Sequence, residues 1–270
     1  MDEPVELVVI GGGNMGEALV GGLLASGAHS PDDVAVVEID ADRRSALAGT
    51  FPDIAVHDTC PPCRSAVLAV KPQHTADAAA TAADAGAGRV LSIAAGVTTG
   101  ALEEAIAGRS SRGEGEVAVV RAMPNTPALV GRGASAISGG SAAATHDLEW
   151  AASILGAVGI VEELAEHDLD AFTATIGSGP AYVFLVAEAL IDAAVAEGLD
   201  ADTARRTVVQ LMVGAAALLE SGDDPAELRR KVTSPGGTTE AGLGALDRAE
   251  VRGAFAAAVR AAAARGRELG

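Results

Sequence analysis

Positive charge is scarce in this chain: 37 acidic residues face 19 basic ones, lysine occurs only at Lys71 and Lys231, and the net charge is -18. A field of that sign repels phosphate backbones, so nucleic acid is not an expected partner. Aromatic residues are rarer still, at 2%. Few lysines, few aromatics and abundant alanine read together as a surface kept hydrated in concentrated salt, where screening removes the self-repulsion such a charge brings. A coding bias toward Ala and Arg is the plainer account of the same composition. Cysteine is limited to Cys60 and Cys63, in C-P-P-C. With no second pair and no His-x-His nearby, a tetrahedral site lacks ligands and no metal is expected. The pair reads as two small buried-type residues around a proline loop, with a redox role or a local disulfide as the alternative. No apolar run reaches the roughly 20 residues of a membrane span before Gly, Thr or a charge breaks it, and the N-terminus M-D-E-P-V-E is acidic. Both features predict a soluble cytoplasmic protein with no membrane partner.

What is present is enough apolar material, 49% of 270 residues, for two domains of moderate size. Val5 to Ile10 is a β-branched run without helical period, as suits a strand buried on both faces. An amphipathic stretch from Glu17 to Ala28, a second strand from Val34 to Ile39, a helical D-A-D-R-R-S-A-L-A and a third strand ending at Pro72 follow. Further strands are predicted at Arg89 to Gly96, Glu116 to Met123 and around Ala134 to Ser138, with a helix near Gly100 to Ala107. Alternation of this kind predicts an α/β, doubly wound, mostly parallel sheet over residues 1–163. From Ala165 the β-branched runs stop and Ala/Leu-rich helical segments take over: Leu169 to Ile176, Ala181 to Glu197, Ala201 to Ser221, Pro225 to Val232 and Thr239 through Leu269. Residues 164–270 therefore read as an all-α domain. Its small side chains bury little area each, so it is expected to complete its core against a second copy.

Gly11, Gly13 and Gly16 form G-x-G-x-x-G directly after the first strand and at the start of a helix. The first glycine permits the tight turn, the second admits a pyrophosphate to the backbone, and the third allows helix and strand to pack closely. That places a Rossmann-type dinucleotide site here. Glu38 ends the second strand at the position where a carboxylate accepts the adenosine ribose hydroxyls and repels a 2′-phosphate, which favours NADH over NADPH; Arg43 and Arg44, a turn further on, leave NADPH use open. Ala69, Val70, Lys71 and Pro72 end the third strand, and Ile93, Ala94 and Ala95 end the next; strand C-termini are where ligands sit in open α/β sheets, so these residues line the cofactor groove. Asn125, in M-P-N-T-P, sits in a turn whose polar groups suit the nicotinamide end. Late in the chain, K-V-T-S-P-G-G-T-T-E-A-G-L places a glycine-loosened hydroxyl turn ahead of a helical pattern, a place for a small anion such as a carboxylate, although a capped helix start has the same local look.

Taken together, G-G-G-N-M-G, A-V-K-P-Q, S-I-A-A-G, R-A-M-P-N-T-P, G-S-G-P-A-Y-V-F and V-T-S-P-G-G-T-T-E-A-G-L resemble, in order and spacing over essentially the whole chain, the pyrroline-5-carboxylate reductase family. The resemblance implies an NADH- or NADPH-dependent oxidoreductase that reduces the C=N bond of 1-pyrroline-5-carboxylate to L-proline, the last step of proline biosynthesis. It implies a Rossmann domain followed by a helical dimerisation domain, a homodimer, and in many members a decamer built as a pentamer of dimers. By the same match Asn14 and Met15 join the cofactor loop. The amides around Gly236, Gly237, Thr238 and Thr239, with Ser234, hold the substrate carboxylate, and the Thr239 hydroxyl bonds the ring nitrogen as the catalytic group. Glu166 and Lys231 match positions that flank the substrate. The chain departs from the family pattern at Asp58, where Asn is usual near the adenosine ribose, and at C-P-P-C, which replaces a short helical sequence. A related imine or β-hydroxyacid reductase and a non-catalytic nucleotide sensor are the competing readings. The first lacks its Lys or Asp in G-S-G-P-A-Y, and the second has no need of a small-acid turn.

Overall fold

The computed structural model describes residues 3–109 and 116–269, so Met1 and Asp2 of the acidic N-terminus lie outside it. β1 (Val5–Ile10) is central, hydrogen-bonded in parallel to β2 (Val34–Val37) on one side and to β4 (Cys63–Leu68) on the other. With β3 (Ala55–His57), β5 (Arg89–Ser92), β6 (Ala118–Met123), β7 (Gly133–Gly139) and β8 (Gly159–Glu163) the sheet has eight strands in the order β3-β2-β1-β4-β5-β6-β7-β8. All pairs are parallel except β6 with β7.

The alternation of β1 feeds two cores. Leu7 and Val9 point to one face, with Leu19 and Leu23 of α1 (Asn14–Ala25) and Trp150 and Ile154 of α5 (Thr145–Gly156). Val8 and Ile10 point to the other, with Ala79 and Ala83 of α3 (Thr75–Asp84) and Leu102 of α4 (Thr99–Ile106). α2 (Ala41–Thr50) contributes Leu47 to the first core and is capped by Asp40, whose carboxylate accepts the Arg43 amide at 2.7 Å.

Two strands escape the sequence reading. β3 is three residues long, and β8 ends in Glu162 and Glu163, so neither presents a β-branched run. Both are edge strands, where short length and charge guard against pairing with another chain. Two expected strands also stop early: β2 ends at Val37 rather than Ile39, and β5 at Ser92 rather than Gly96, each giving way to a loop that leads into the next helix.

The chain through Ser178, together with its last residues from Ala262, forms one compact unit, and Gly179–Ala261 forms another. The expected boundary at 163 falls at the end of β8, inside the first unit. Before the division lie α6 (Leu169–Phe172) and a π-helical turn, Thr173–Gly177. The second unit holds α7 (Gly179–Ala196), α8 (Ala201–Glu220), α9 (Pro225–Lys231), α10 (Thr238–Arg248) and most of α11 (Val251–Leu269). A single helix was expected from Thr239 to Leu269; it is two, broken at Glu250, whose φ of 53° ends α10 in the left-handed region.

One expectation is corrected. Glu166–Ala196 forms a continuous helical run of 31 residues with a mean hydropathy of 1.6 over its most apolar stretch, long and apolar enough to cross a membrane. The π-helical turn Thr173–Gly177 lies within this run, so the glycine and threonines there do not end it.

Candidate active site

In the first unit the ends of five neighbouring strands, β3, β2, β1, β4 and β5, form one edge. Gly11 N–H donates to Val37 O (2.8 Å), Ala69 N–H to Ile10 O (2.8 Å), Ile93 N–H to Leu68 O (3.2 Å) and Glu38 N–H to His57 O (3.0 Å). The glycine loop, Glu38, the 69–72 segment and Ile93 are thereby aligned, and Asp58 follows on the β3 side, exposed. β1 and β4 lie where the strand order reverses, the crevice in which doubly wound sheets bind nucleotides.

The loop fits a dinucleotide. Gly11 has φ 106°, and a Cβ there would stand 2.5 Å from Ala69 O; one on Gly16 would stand 2.1 Å from Gly11 O. Gly13, by contrast, faces open space and caps α1 without a side-chain bond. The first intrahelical bond is Glu17 N–H to Gly13 O, so the amides of Asn14, Met15 and Gly16 are available to an anion at the positive end of the helix. Glu38 is fixed beside them: Oε2 accepts Gly12 N–H at 3.0 Å and Oε1 accepts Asp40 N–H at 2.9 Å. Its remaining lone pairs can take ribose hydroxyls. Val70 is half-buried, Lys71 and Pro72 are exposed, Ala94 is buried and Ala95 exposed. Asn125 is 9% exposed and its amide is engaged within the protein, Oδ1 accepting Ala134 N–H (2.9 Å) and Nδ2 donating to Ile176 O (3.2 Å).

A cluster that sequence reasoning missed surrounds Glu166. Its carboxylate accepts Thr99 N–H at 2.8 Å and the Thr99 hydroxyl at 2.7 Å, and meets Arg121 Nη1 at 3.2 Å; Arg121, buried on β6, also approaches Asp170 at 3.9 Å. Burial pushes the Glu166 pKa up, but the Thr99 amide and hydroxyl and the Arg121 guanidinium outweigh it and hold the carboxyl below its ordinary value. The sequence signal was an arginine inside an otherwise apolar strand, A-V-V-R-A-M, which requires a buried acidic partner.

In the second unit the S-P-G-G-T-T turn leads into α10. Gly237 caps the helix without a side-chain bond, and the first intrahelical bond is Ala241 N–H to Gly237 O, so the amides of Thr238, Thr239 and Glu240 open toward a ligand. Gly236 has φ 72°, the left-handed region that favours glycine, and a Cβ on Gly237 would crowd the Ser234 carbonyl at 3.0 Å. The turn is closed from within by Gly237 N–H to Ser234 O (3.0 Å) and by Gly236 N–H to the Glu240 carboxylate (2.7 Å). Thr239 is exposed in the first turn, and Lys231 Nζ pairs with Asp223 at 2.5 Å.

Cys60 and Cys63 are free thiols at the opposite end of the sheet from the glycine loop, since Cys63 pairs with Val5 at the start of β1. A hydrogen bond between them draws the Cys60 thiol pKa down and pushes that of Cys63 up.

The architecture has counterparts among known proteins. Residues 166–269 match the family model described as pyrroline-5-carboxylate reductase dimerisation, and residues 6–96 that described as NADP oxidoreductase coenzyme F420-dependent. Pyrroline-5-carboxylate reductases of Corynebacterium melassecola and of Synechocystis sp. are each 40% identical to the chain, the alignments covering 98% of both partners. Among solved structures, a pyrroline-5-carboxylate reductase from Coxiella burnetii superposes with a TM-score of 0.89 at 34% identity over 99% of each chain. The Plasmodium falciparum enzyme with NADP bound superposes at 0.82 and 28% identity over the full length of both. With identity of this order over the full length of its relatives, and with the dimerisation model matched through its C-terminal helices, the chain belongs to the pyrroline-5-carboxylate reductase family.

Proposed function

We propose that the protein reduces 1-pyrroline-5-carboxylate to L-proline, with NADH preferred over NADPH. The observation that carries this reading is the uncapped start of α10 behind the S-P-G-G-T-T turn, a second anion site in a chain that already has a dinucleotide loop. The amides of Thr238 and Thr239, with Gly236, Gly237 and Ser234 shaping the turn, hold the substrate carboxylate. The Thr239 hydroxyl bonds the ring nitrogen and steadies it as imine becomes amine. When bound, the reduced nicotinamide supplies a hydride to the imine carbon. A cyclic imine is already electrophilic, so the chain's part is to orient it, and solvent supplies the proton that the nitrogen needs. Gly11, Gly13, Asn14, Met15 and Gly16 receive the pyrophosphate, Glu38 and Asp58 the adenosine ribose, and Ala69 to Pro72 with Ile93 to Ala95 line the groove. Asn125 serves that groove by fixing its own turn. Glu166 acts through Thr99 on the loop after β5, and Lys231, tied to Asp223, forms the rim of the turn.

The second unit is read as a homodimer interface, the pentamer of dimers found in many family members being the larger assembly, and the apolar run 166–196 as part of that interface rather than a membrane span. The dimerisation model covers the whole run. A soluble, cytoplasmic enzyme with no nucleic-acid partner follows. Absorbance of NADH and NADPH followed with purified protein and racemic pyrroline-5-carboxylate, in low salt and in molar KCl, tests the proposal. Faster consumption of NADH supports both the activity and the role of Glu38. Faster consumption of NADPH keeps the activity and rejects that role. Folded protein that consumes neither is a nucleotide-binding module instead.

A further inference from the structure

Two arginines follow Glu38, and in a site that accepts a 2′-phosphate an arginine at this place is what receives it. Here both are turned to protein acceptors. Arg43 Nε donates to Gly12 O at 2.6 Å, and its Nη2 is bonded to the Glu17 carboxylate of α1, the two side chains being 30% and 33% exposed. Arg44 Nη1 donates to the carbonyls of Glu38 and Ile39, at 2.9 and 2.8 Å. The Gly12 peptide is thus held from both sides, its N–H by Glu38 and its carbonyl by Arg43. The side chain of Leu47 lies against Gly12 as well, its Cδ1 2.3 Å from where a Cβ on that residue would stand.

A guanidinium recognises phosphate as a two-pronged fork, and a fork whose edges are already committed offers a phosphate little. We propose that Glu17 is a specificity-determining residue: by holding Arg43 against α1 it withholds that cation from the ribose 2′ position, so that discrimination against a 2′-phosphate comes from the Glu17–Arg43 pair as well as from Glu38. The inference rests on the nucleotide reading of this same loop. Glu17 has an ordinary alternative occupation, since a carboxylate in the first turn of a helix complements its dipole, and that role would affect every nucleotide alike.

Calorimetric titration with ADP-ribose and with its 2′-phosphorylated form, at one fixed salt concentration, separates the two. Wild-type protein binds ADP-ribose more tightly. Glu17→Gln is expected to strengthen the 2′-phosphorylated ligand and narrow the ratio about tenfold, the scale of one charge-assisted contact, while ADP-ribose affinity moves by much less. Adding Arg43→Met to Glu17→Gln is expected to abolish the gain. An unchanged ratio in Glu17→Gln overturns the proposal, as does equal weakening of both ligands or a gain that survives loss of Arg43. Wild-type protein that binds neither ligand overturns the nucleotide reading itself, which is a different result from binding both with an unchanged ratio.

Discussion

Single atoms decide the nucleotide loop. Gly16→Ala places a methyl group 2.1 Å from Gly11 O, where the obstacle is backbone and cannot swing away. We expect a loss of about 2 kcal/mol or more in urea unfolding and loss of measurable ADP-ribose binding. Gly13→Ala meets nothing within 4 Å and is expected to unfold near the wild-type midpoint while still weakening the nucleotide, because its methyl would occupy the approach of the pyrophosphate. Glu166 gives a pH signature. Its folded pKa is depressed, so its contacts with Thr99 and Arg121 stabilise fully above the ordinary glutamate value, and that contribution is lost as pH falls through the folded one. The stability gap between wild type and Glu166→Gln should therefore be widest near neutrality and close in acid; a gap independent of pH would show that the carboxylate charge is not what holds the loop. For Thr239, replacement by Ala or Val should lower kcat/KM for the imine about tenfold or more, the scale of a hydrogen bond lost at the reacting nitrogen, with NADH affinity unchanged. Unchanged kcat and substrate KM in both variants would remove Thr239 from the mechanism.

Among the elements, the joint between α10 and α11 carries backbone strain in one residue. Glu250 holds φ 53° as a non-glycine, a conformation that costs an L-residue about 1–2 kcal/mol. Glu250→Gly relieves that strain and gives back part of it to the freer unfolded chain, so a net gain of roughly 0.5 kcal/mol in unfolding free energy is expected. This is also where sequence reading fell short. The Ala-rich periodicity runs through residue 250 without a Gly or Pro to mark the break, so one helix was expected where tertiary structure makes two. β3 and β8 were invisible for a related reason: edge strands need neither a long apolar run nor strict alternation. The central strands, buried on both faces, announced themselves through β-branched runs, and the glycine loop and the S-P-G-G-T-T turn through residues that only special backbone geometry demands. Of the Thr99–Glu166–Arg121 cluster only Glu166 was named from the sequence, through the resemblance; Arg121 went unread although it stands in an apolar strand, because its partner lies 45 residues away and proximity at that range is a property of the fold.

At the scale of the whole molecule, the second unit does not close a core of its own. Among the described residues of 179–261 only Ala204 and Val208 are buried, while Phe184 is 61% exposed, Leu185 63% and Val213 58%. An apolar surface of that extent calls for a partner, and a second copy presents the same surface by symmetry. Phe184→Glu should therefore shift the species seen by light scattering toward the monomer, and no shift would argue against this face as the interface. Association brings a second difficulty, because each chain carries a net charge of -18 and pairing two of them sums the repulsion. Salt shortens the range of that repulsion, from about 10 Å at 0.1 M to about 3 Å at 1 M, without weakening apolar contacts. Melting temperature and the fraction of dimer should then rise together between low and molar KCl, and most steeply at the low end where screening changes fastest. If the dimer fraction rises while the melting temperature stays flat, repulsion acts between subunits and not within the fold; if both are flat, the acidic composition is a coding bias without a physical consequence for stability.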